Sequence, residues 1–312
     1  MADEVFEIKD AAHHATPQVM AVAGPMFSGK SYGAIMLAAG LTEPGDMIGV
    51  IDTENGKFGN WYADDPDVVR LIPQGFKVIE LMPPFHANRL IAANQALERA
   101  GCKLIITDNG SSAWDGQGGG LDQKERDKSW VKAKQAMRRW SNHLLYSGAH
   151  QIVCLRAQDK TKVLDGGKTY IDLGPGPIIE KNWYFSISLA FMVEGEIDNK
   201  PATHLARPQK WPKAMNGLFA GWQPQLLTPE IGRKIREWNN TGKKETPFDK
   251  VRKRSMLAAS EGMDAYQKFF GEMPPKIQAE LERTGIHAAN LATSARVDAE
   301  LSQDDEPSQE AV

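Results

Sequence analysis

A chain of 312 residues, 41% of them hydrophobic, has the material for one large α/β core and a small appended domain, which excludes a wholly disordered protein. Its net charge of -3, from 37 Lys and Arg against 40 Asp and Glu, excludes a chain-wide polycation, so any nucleic-acid contact has to come from local patches. Cys102 and Cys154 lack the spacing of a zinc site or a disulfide framework, and His13-His14 has no Cys or carboxylate at metal-ligand spacing. The start, Met1-Ala2-Asp3-Glu4, is acidic where an export signal is basic and then apolar, and every apolar run is strand-sized; the expectation is a cytoplasmic protein with no membrane partner.

In chain order, residues 1–16 read as an arm in which only Val5-Phe6-Glu7-Ile8 is strand-like. Pro17 opens the first strand, 18–23, and a helix is expected over 30–39, ended by Gly40. Strands follow at 47–51 and 76–81. Pro83-Pro84 forces a turn before a helix at 87–100, whose Leu90, Ile91, Asn94 and Leu97 share one face and which Gly101 closes. The strand 103–107 ends at Asp108. A Gly-rich loop with Gly116, Gly118, Gly119 and Gly120 leads to a long helix over 129–146, and 151–155 is a further buried strand. Strands are expected within 183–193 and at 202–207, and a helix at 229–238. This alternation predicts an α/β fold with a mostly parallel central sheet flanked by helices, its ligands at the carboxyl ends of the strands. Beyond Thr246, the residues Pro247, Gly262, Pro274-Pro275 and Gly285 punctuate short helices. The expected organisation is an arm at 1–16, a core at 17–245, a small helical domain at 246–301 and an acidic, disordered tail at 302–312.

Gly24-Pro25-Met26-Phe27-Ser28-Gly29-Lys30-Ser31 matches GxxxxGK[ST] and lies between an expected strand and an expected helix. Glycines let such a loop turn its N–H groups inward around phosphates, and the helix start adds a dipole that favours anions. Lys30 would reach the β- and γ-phosphates and Ser31 would ligate Mg²⁺, so ATP and Mg²⁺ are the expected cofactors, with the contact run extending to Tyr32. The competing reading is a Gly-rich turn that merely starts a helix. Two later strands end in acids, and parallel strands share a carboxyl-end face, so both acids emerge beside this loop. Asp108 suits the acid that holds Mg²⁺; Glu54, in Asp52-Thr53-Glu54, suits the general base that orients water. Each acid could instead cap the following helix or turn.

These motifs resemble the RecA-like P-loop ATPases, and most closely compact phage-encoded members that amount to little more than the ATPase core and are associated with recombination and single-strand annealing. The resemblance covers about 18–238 and rests on Gly24 to Ser31, Asp52-Thr53-Glu54, Thr107-Asp108-Asn109 and the strand ending Arg156-Ala157-Gln158. It implies that Lys30 and Glu54 act in catalysis, that Asp108 handles Mg²⁺, and that Gln158 senses the γ-phosphate. It also implies single-stranded DNA bound by two loops, here 112–128 with Lys124, Arg126 and Lys128, and 159–177 with Lys160, Lys162 and Lys168, where Trp114 and Tyr170 are available to stack on bases. Interleaved acids (Asp115, Asp122, Glu125, Asp127, Asp159, Asp165) dilute that field, and ordinary surface loops are the alternative. A cation reaching a neighbouring subunit would fall on Arg207 or Lys210, although Arg-Pro-Gln-Lys is unlike the paired lysines of bacterial recombinases.

The resemblance further implies a homo-oligomer, ring or filament, and a replication or recombination partner for the C-terminal domain; a phage-encoded chain would work in the host cytoplasm. No counterpart of the large N-terminal domain of cellular recombinases is expected, and Asn109 stands where many relatives have Ser. The run Lys243-Lys244, Lys250 and Arg252-Lys253-Arg254 is either a nucleic-acid track or a solvated helix face. Met263, Tyr266, Phe269 and Phe270 read as a small core. Two other functions compete: a duplex-DNA packaging or helicase-type motor, and a nucleotide switch or small-molecule kinase without DNA.

Overall fold

The computed structural model describes residues 10–164, 169–195 and 201–304. It divides into two units, one formed by Thr16–Thr241 and the other by the described residues of Met1–Ala15 and Gly242–Val312.

In chain order, β1 (His14–Ala15) is followed by β2 (Val19–Gly24), α1 (Lys30–Leu41), β3 (Ile48–Asp52), α2 (Lys57–Tyr62), α3 (Pro66–Leu71), β4 (Phe76–Glu80), α4 (Ala87–Arg99) and β5 (Leu104–Asp108). Next come α5 (Ser112–Asp115), α6 (Gly120–Asp127), α7 (Trp130–Tyr146), β6 (His150–Leu164), β7 (Thr169–Pro177), α8 (Lys181–Ser186), β8 (Leu189–Val193) and β9 (Ala206–Lys210). A 3-10 turn, Lys213–Met215, leads into α9 (Asn216–Phe219) and α10 (Pro229–Asn240), then β10 (Lys243–Lys244), α11 (Pro247–Ser260), α12 (Met263–Gly271), α13 (Pro275–Arg283) and α14 (Ile286–Asp304).

The main sheet has the order β4-β3-β5-β6-β2-β8-β9, with β7 paired to β6. Every pairing from β4 through β8 is parallel, and only β8–β9 and β6–β7 are antiparallel. β2, β3, β5 and β8 are buried along their whole length, as expected for near-continuous apolar strands covered on both faces. Strand alternation sorts the core into two layers: Met20, Val22, Ile48, Val50, Leu104, Ile106 and Cys154 pack with α1 and α10, whereas Ala21, Ala23, Ile105, Val153 and Leu155 pack with α4 and α7. On the second side Trp140 stacks on Trp183 with centroids 4.7 Å apart. The α/β class with a mostly parallel, helix-flanked sheet and a helical C-terminal part is therefore the observed one.

Several local expectations change. α1 runs past Gly40 to Leu41, and Gly40 instead serves helix packing: a Cβ there would lie 1.8 Å from the Pro229 carbonyl oxygen, and one on Gly232 would lie 2.2 Å from that of Leu37. The expected strand at 183–193 begins as helix α8, because the Glu180 side chain accepts a hydrogen bond from the Trp183 N–H and the Trp183 ring is buried; only Leu189–Val193 is strand. The next strand is shifted to Ala206–Lys210. The segment 112–128 is helical over α5 and α6 rather than a loop. The segment 159–177 is largely a β-hairpin, since β6 continues to Leu164 and pairs with β7 from Ala157↔Pro177 to Leu164↔Thr169. α2 and α3 were not anticipated, although Asp65-Pro66 is an N-cap followed by proline at N1, with Asp65 accepting from the Asp67 and Val68 N–H groups. In the other unit, β1 pairs with β10, Tyr266 and Phe270 pack with His287, and α14 extends to Asp304, so 302–304 are helical. The rest of the expected tail and Val5 to Ile8 lie outside the described residues.

Candidate nucleotide site

Register aligns the carboxyl ends of four strands. Gly24 pairs with Arg156, and Asp52 pairs with Asp108, so the loop after β2 and the acids after β3 and β5 leave one edge of the sheet. The loop from Gly24 to Gly29 folds back tightly, so that a Cβ on Gly24 would sit 2.3 Å from Ser28 Oγ. Phe27 (φ 59°) and Gly29 (φ 86°) are both left-handed and flank Ser28. Alternating handedness of this kind turns successive N–H groups into one concavity, a nest suited to an anion. No side chain caps α1, and Gly33 N–H bonds back to the Gly29 carbonyl at 2.8 Å. Lys30 is buried for a lysine, at 8% exposure, with Cys154 Sγ 3.9 Å from its carbonyl oxygen beneath it. Met26 and Phe27 form an exposed apolar tip.

The acids differ in environment. Asp52 accepts from the Glu54 N–H at 2.6 Å and the Phe58 N–H at 2.9 Å, which spends its carboxylate on shaping the turn into α2. That leaves Glu54 half-buried, with Oε1 accepting from Asn109 Nδ2 at 2.6 Å. Thr53 Oγ1 takes the Asn109 N–H at 3.0 Å and lies 3.1 Å from Ser112 Oγ, stitching the β3 and β5 ends together. Asp108 is buried, and burial pushes its carboxyl up to about 6 against the opposing effects of the Ser31 hydroxyl and Lys30. Its Oδ1 and Ser28 Oγ are buried without a hydrogen-bond partner. Tyr62, beside Ser31, is pushed up to about 12 by burial and then by the Asp108 charge, so it remains a neutral hydroxyl. No sequence motif marks Thr53 or Tyr62, and Asn109 departs from the Ser of many relatives; α2 is what brings Tyr62 to this edge.

Lys30, Ser31, Glu54 and Asp108 are thus grouped at one edge, with Pro25 and Tyr32 flanking the loop. Gln158 lies two residues beyond the Gly24↔Arg156 pair, exposed, with its backbone already paired to Gly176 in the β6–β7 hairpin. Arg207 and Lys210 have partners in their own chain: Arg207 Nε is 2.8 Å from Glu194 Oε1, and Lys210 Nζ donates to the Phe185 carbonyl at 2.5 Å. On the first segment Lys124 and Lys128 pair with Glu125, and Arg126 pairs with Asp127. Trp114 is stacked on Trp130 at 6.0 Å, and a Cβ on Gly120 would lie 2.5 Å from the Trp114 ring, so the indole open to solvent is that of Trp130, which Lys124 and Lys134 overlie at 5.2 and 5.9 Å. Lys160 is exposed. Lys168 and the side chains of Lys162 and Tyr170 lie outside the described residues. Among the described residues no group of three or more His, Cys, Asp or Glu could hold a metal, and no helix is long and apolar enough to cross a membrane.

Comparison with known proteins gives a family. The model of the family AAA_24, described as an AAA domain, matches residues 16–176. No curated protein matches the chain. Among solved structures, a KaiC-like protein from the hyperthermophilic archaeon Pyrococcus horikoshii OT3 is 13% identical with a TM-score of 0.40, the match covering 63% of this chain and 80% of that one. The RadB recombinase is 15% identical with a TM-score of 0.40, over 64% of this chain and 83% of its own. The family match spans more than half of the chain, from β2 and its phosphate-type loop through both acids to the end of the hairpin, and the protein therefore belongs to the AAA_24 family of AAA domains and is a P-loop ATPase.

Proposed function

We propose that this protein is a RecA-like ATPase of phage type that hydrolyses Mg-ATP and couples turnover to the handling of single-stranded DNA in recombination, annealing or replication, as an oligomer in the cytoplasm. The observation that carries the reading is the convergence of the left-handed Phe27–Gly29 nest, Lys30, Ser31, Asp108 and Glu54 at one edge of the sheet.

The residues suit a magnesium ion. A buried carboxylate oxygen of Asp108 without a hydrogen-bond partner, beside the Ser31 hydroxyl, is a hard-oxygen donor pair of the kind that would hold Mg²⁺. Bound there, Mg²⁺ would neutralise charge on the phosphates. The chain supplies the rest. N–H groups of the nest hold phosphate oxygens, Lys30 offsets charge that develops during transfer, and Glu54, aimed by Asn109, accepts a proton from the attacking water. Gln158, near the start of the β6–β7 pairing, lies on the strand that carries Lys160.

The DNA part of the proposal rests on Lys124 and Arg126 of α6 and Lys128 just after it, with Lys124 over the exposed Trp130 ring. Their ion pairs with Glu125 and Asp127 are exposed, so exchanging a carboxylate for a nucleic-acid phosphate sacrifices little. Arg207 acting on a neighbouring subunit would first have to leave Glu194.

The test is ATP hydrolysis without nucleic acid, with single strands and with duplex, with oligomer size followed in parallel. Stimulation by single strands supports the proposal. Stimulation by duplex alone favours a motor, and turnover indifferent to DNA with no change in size favours a nucleotide switch or a small-molecule kinase.

A further inference from the structure

The loop after β2 is braced from outside by the chain that leaves β8. A Cβ on Gly24 would come within 3.0 Å of the Val193 carbonyl oxygen, and one on Gly195 within 3.0 Å of the Pro25 ring. The third contact is polar: His204 Nδ1 lies 2.9 Å from the Ser28 carbonyl oxygen. A carbonyl only accepts, so Nδ1 carries the proton and donates. A Cβ on Gly29 would meet the same imidazole at 3.1 Å.

This contact is held in place. His204 takes a left-handed backbone (φ 59°), uncommon for any residue but glycine and tolerated by histidine more than by most. Its neighbours on both sides are tied to Glu194: Thr203 Oγ1 donates to Glu194 Oε2 at 2.8 Å, the Glu194 N–H donates to the Leu205 carbonyl at 2.9 Å, and Arg207 Nε donates to Glu194 Oε1 at 2.8 Å. The Thr203 hydroxyl and Arg207 hold the Glu194 carboxyl below the usual range, so this anchor stays charged.

The consequence follows from peptide geometry. The carbonyl of Ser28 and the N–H of Gly29 belong to one planar trans peptide and point in opposite directions. Pinning the carbonyl to His204 therefore aims the Gly29 N–H away from that imidazole. We infer that His204 is a positioning residue for nucleotide binding, an outer clamp that fixes the Ser28–Gly29 peptide so that its N–H faces a phosphate oxygen, and that Glu194, Thr203 and Arg207 set the clamp. The inference rests on the proposed nucleotide reading of the loop. It gives Arg207 a role within its own chain.

The test compares His204→Ala, His204→Gly and His204→Asn with the natural protein. Asparagine can place an amide N–H where imidazole has Nδ1–H and tolerates the left-handed backbone; glycine removes the donor without backbone strain. Equilibrium titration with Mg-ATP and with Mg-ADP should show affinity reduced about three- to ten-fold in the Ala and Gly variants, the worth of one hydrogen bond, and restored to within about two-fold by Asn. In steady state the loss should fall mainly on KM. Melting without nucleotide identifies any variant that has not folded, and the Gly variant then carries the comparison. Unchanged affinity in the Gly variant, or equal losses in Gly and Asn, overturns the clamp. If the natural protein itself binds no Mg-ATP, the nucleotide reading is overturned first, and the clamp with it.

Discussion

Replacing Asp108 by asparagine separates what the buried carboxylate does for nucleotide binding from what it does to stability. Burial raises this carboxyl from 3.8 to about 6 in the folded chain. Between those values the native state holds a proton that the unfolded state has released, so stability falls as pH rises through the window and the full loss is present above it. The interval corresponds to about 3 kcal/mol at pH 8 and roughly half of that at pH 5. Asparagine has nearly the same shape and no charge, so Asp108→Asn should stabilise the nucleotide-free protein by up to about these amounts while weakening Mg-ATP binding. Urea unfolding of both proteins between pH 5 and 8, with and without Mg-ATP, reads both effects. The natural protein should gain stability from Mg-ATP and the variant should gain less. A variant less stable than the natural protein at pH 8, or a difference that does not grow with pH, would refute the reasoning.

Other outcomes follow from the same geometry. Glu54→Gln keeps an oxygen able to accept from Asn109 Nδ2, so melting and Mg-ATP binding should persist while phosphate release slows by about 10²-fold or more; hydrolysis at the natural rate would remove Glu54 as the base. Changing Lys124, Arg126 and Lys128 together to alanine should lower single-strand affinity and flatten the slope of log affinity against log salt by about 2, and an unaltered slope would take α6 out of the DNA surface. His150, whose Nδ1 accepts from the Gln18 N–H at 2.9 Å, is held down to about 4 by burial. The unfolded chain takes up that proton near 6.5, so stability should fall as pH drops from 6.5 through 4, by about 3 kcal/mol in total. Because Asp108 acts in the opposite sense over part of this range, the effect is read as the difference between His150→Asn and the natural protein; a pH-independent difference would contradict it.

Much of the site was legible because its signals are local. A glycine-bounded loop between an apolar strand and a helix places Lys30 and Ser31 whatever surrounds them, and apolar runs that stop at Asp52 and Asp108 mark strand ends. Parallel strands then share an edge by topology. Elsewhere tertiary contacts overrode local preference. The stretch from Trp183 was expected as strand, yet a capping Glu180 and the burial of Trp183 made helix, and Gly40 suggested a helix end where it permits the close crossing of α10.

Sequence alone determined the class of fold, the phosphate-type loop and the two strand-end acids, since each depends on spacing within a few residues. Tertiary structure alone decided which polar groups meet there. Asn109 holds Glu54 across two strands, Tyr62 arrives on a short helix beside Ser31, and His204 reaches Ser28 from 176 residues away. Hydrogen bonds act over about 3 Å, and the distance along the chain between such partners carries no trace of them until the sheet has set its register.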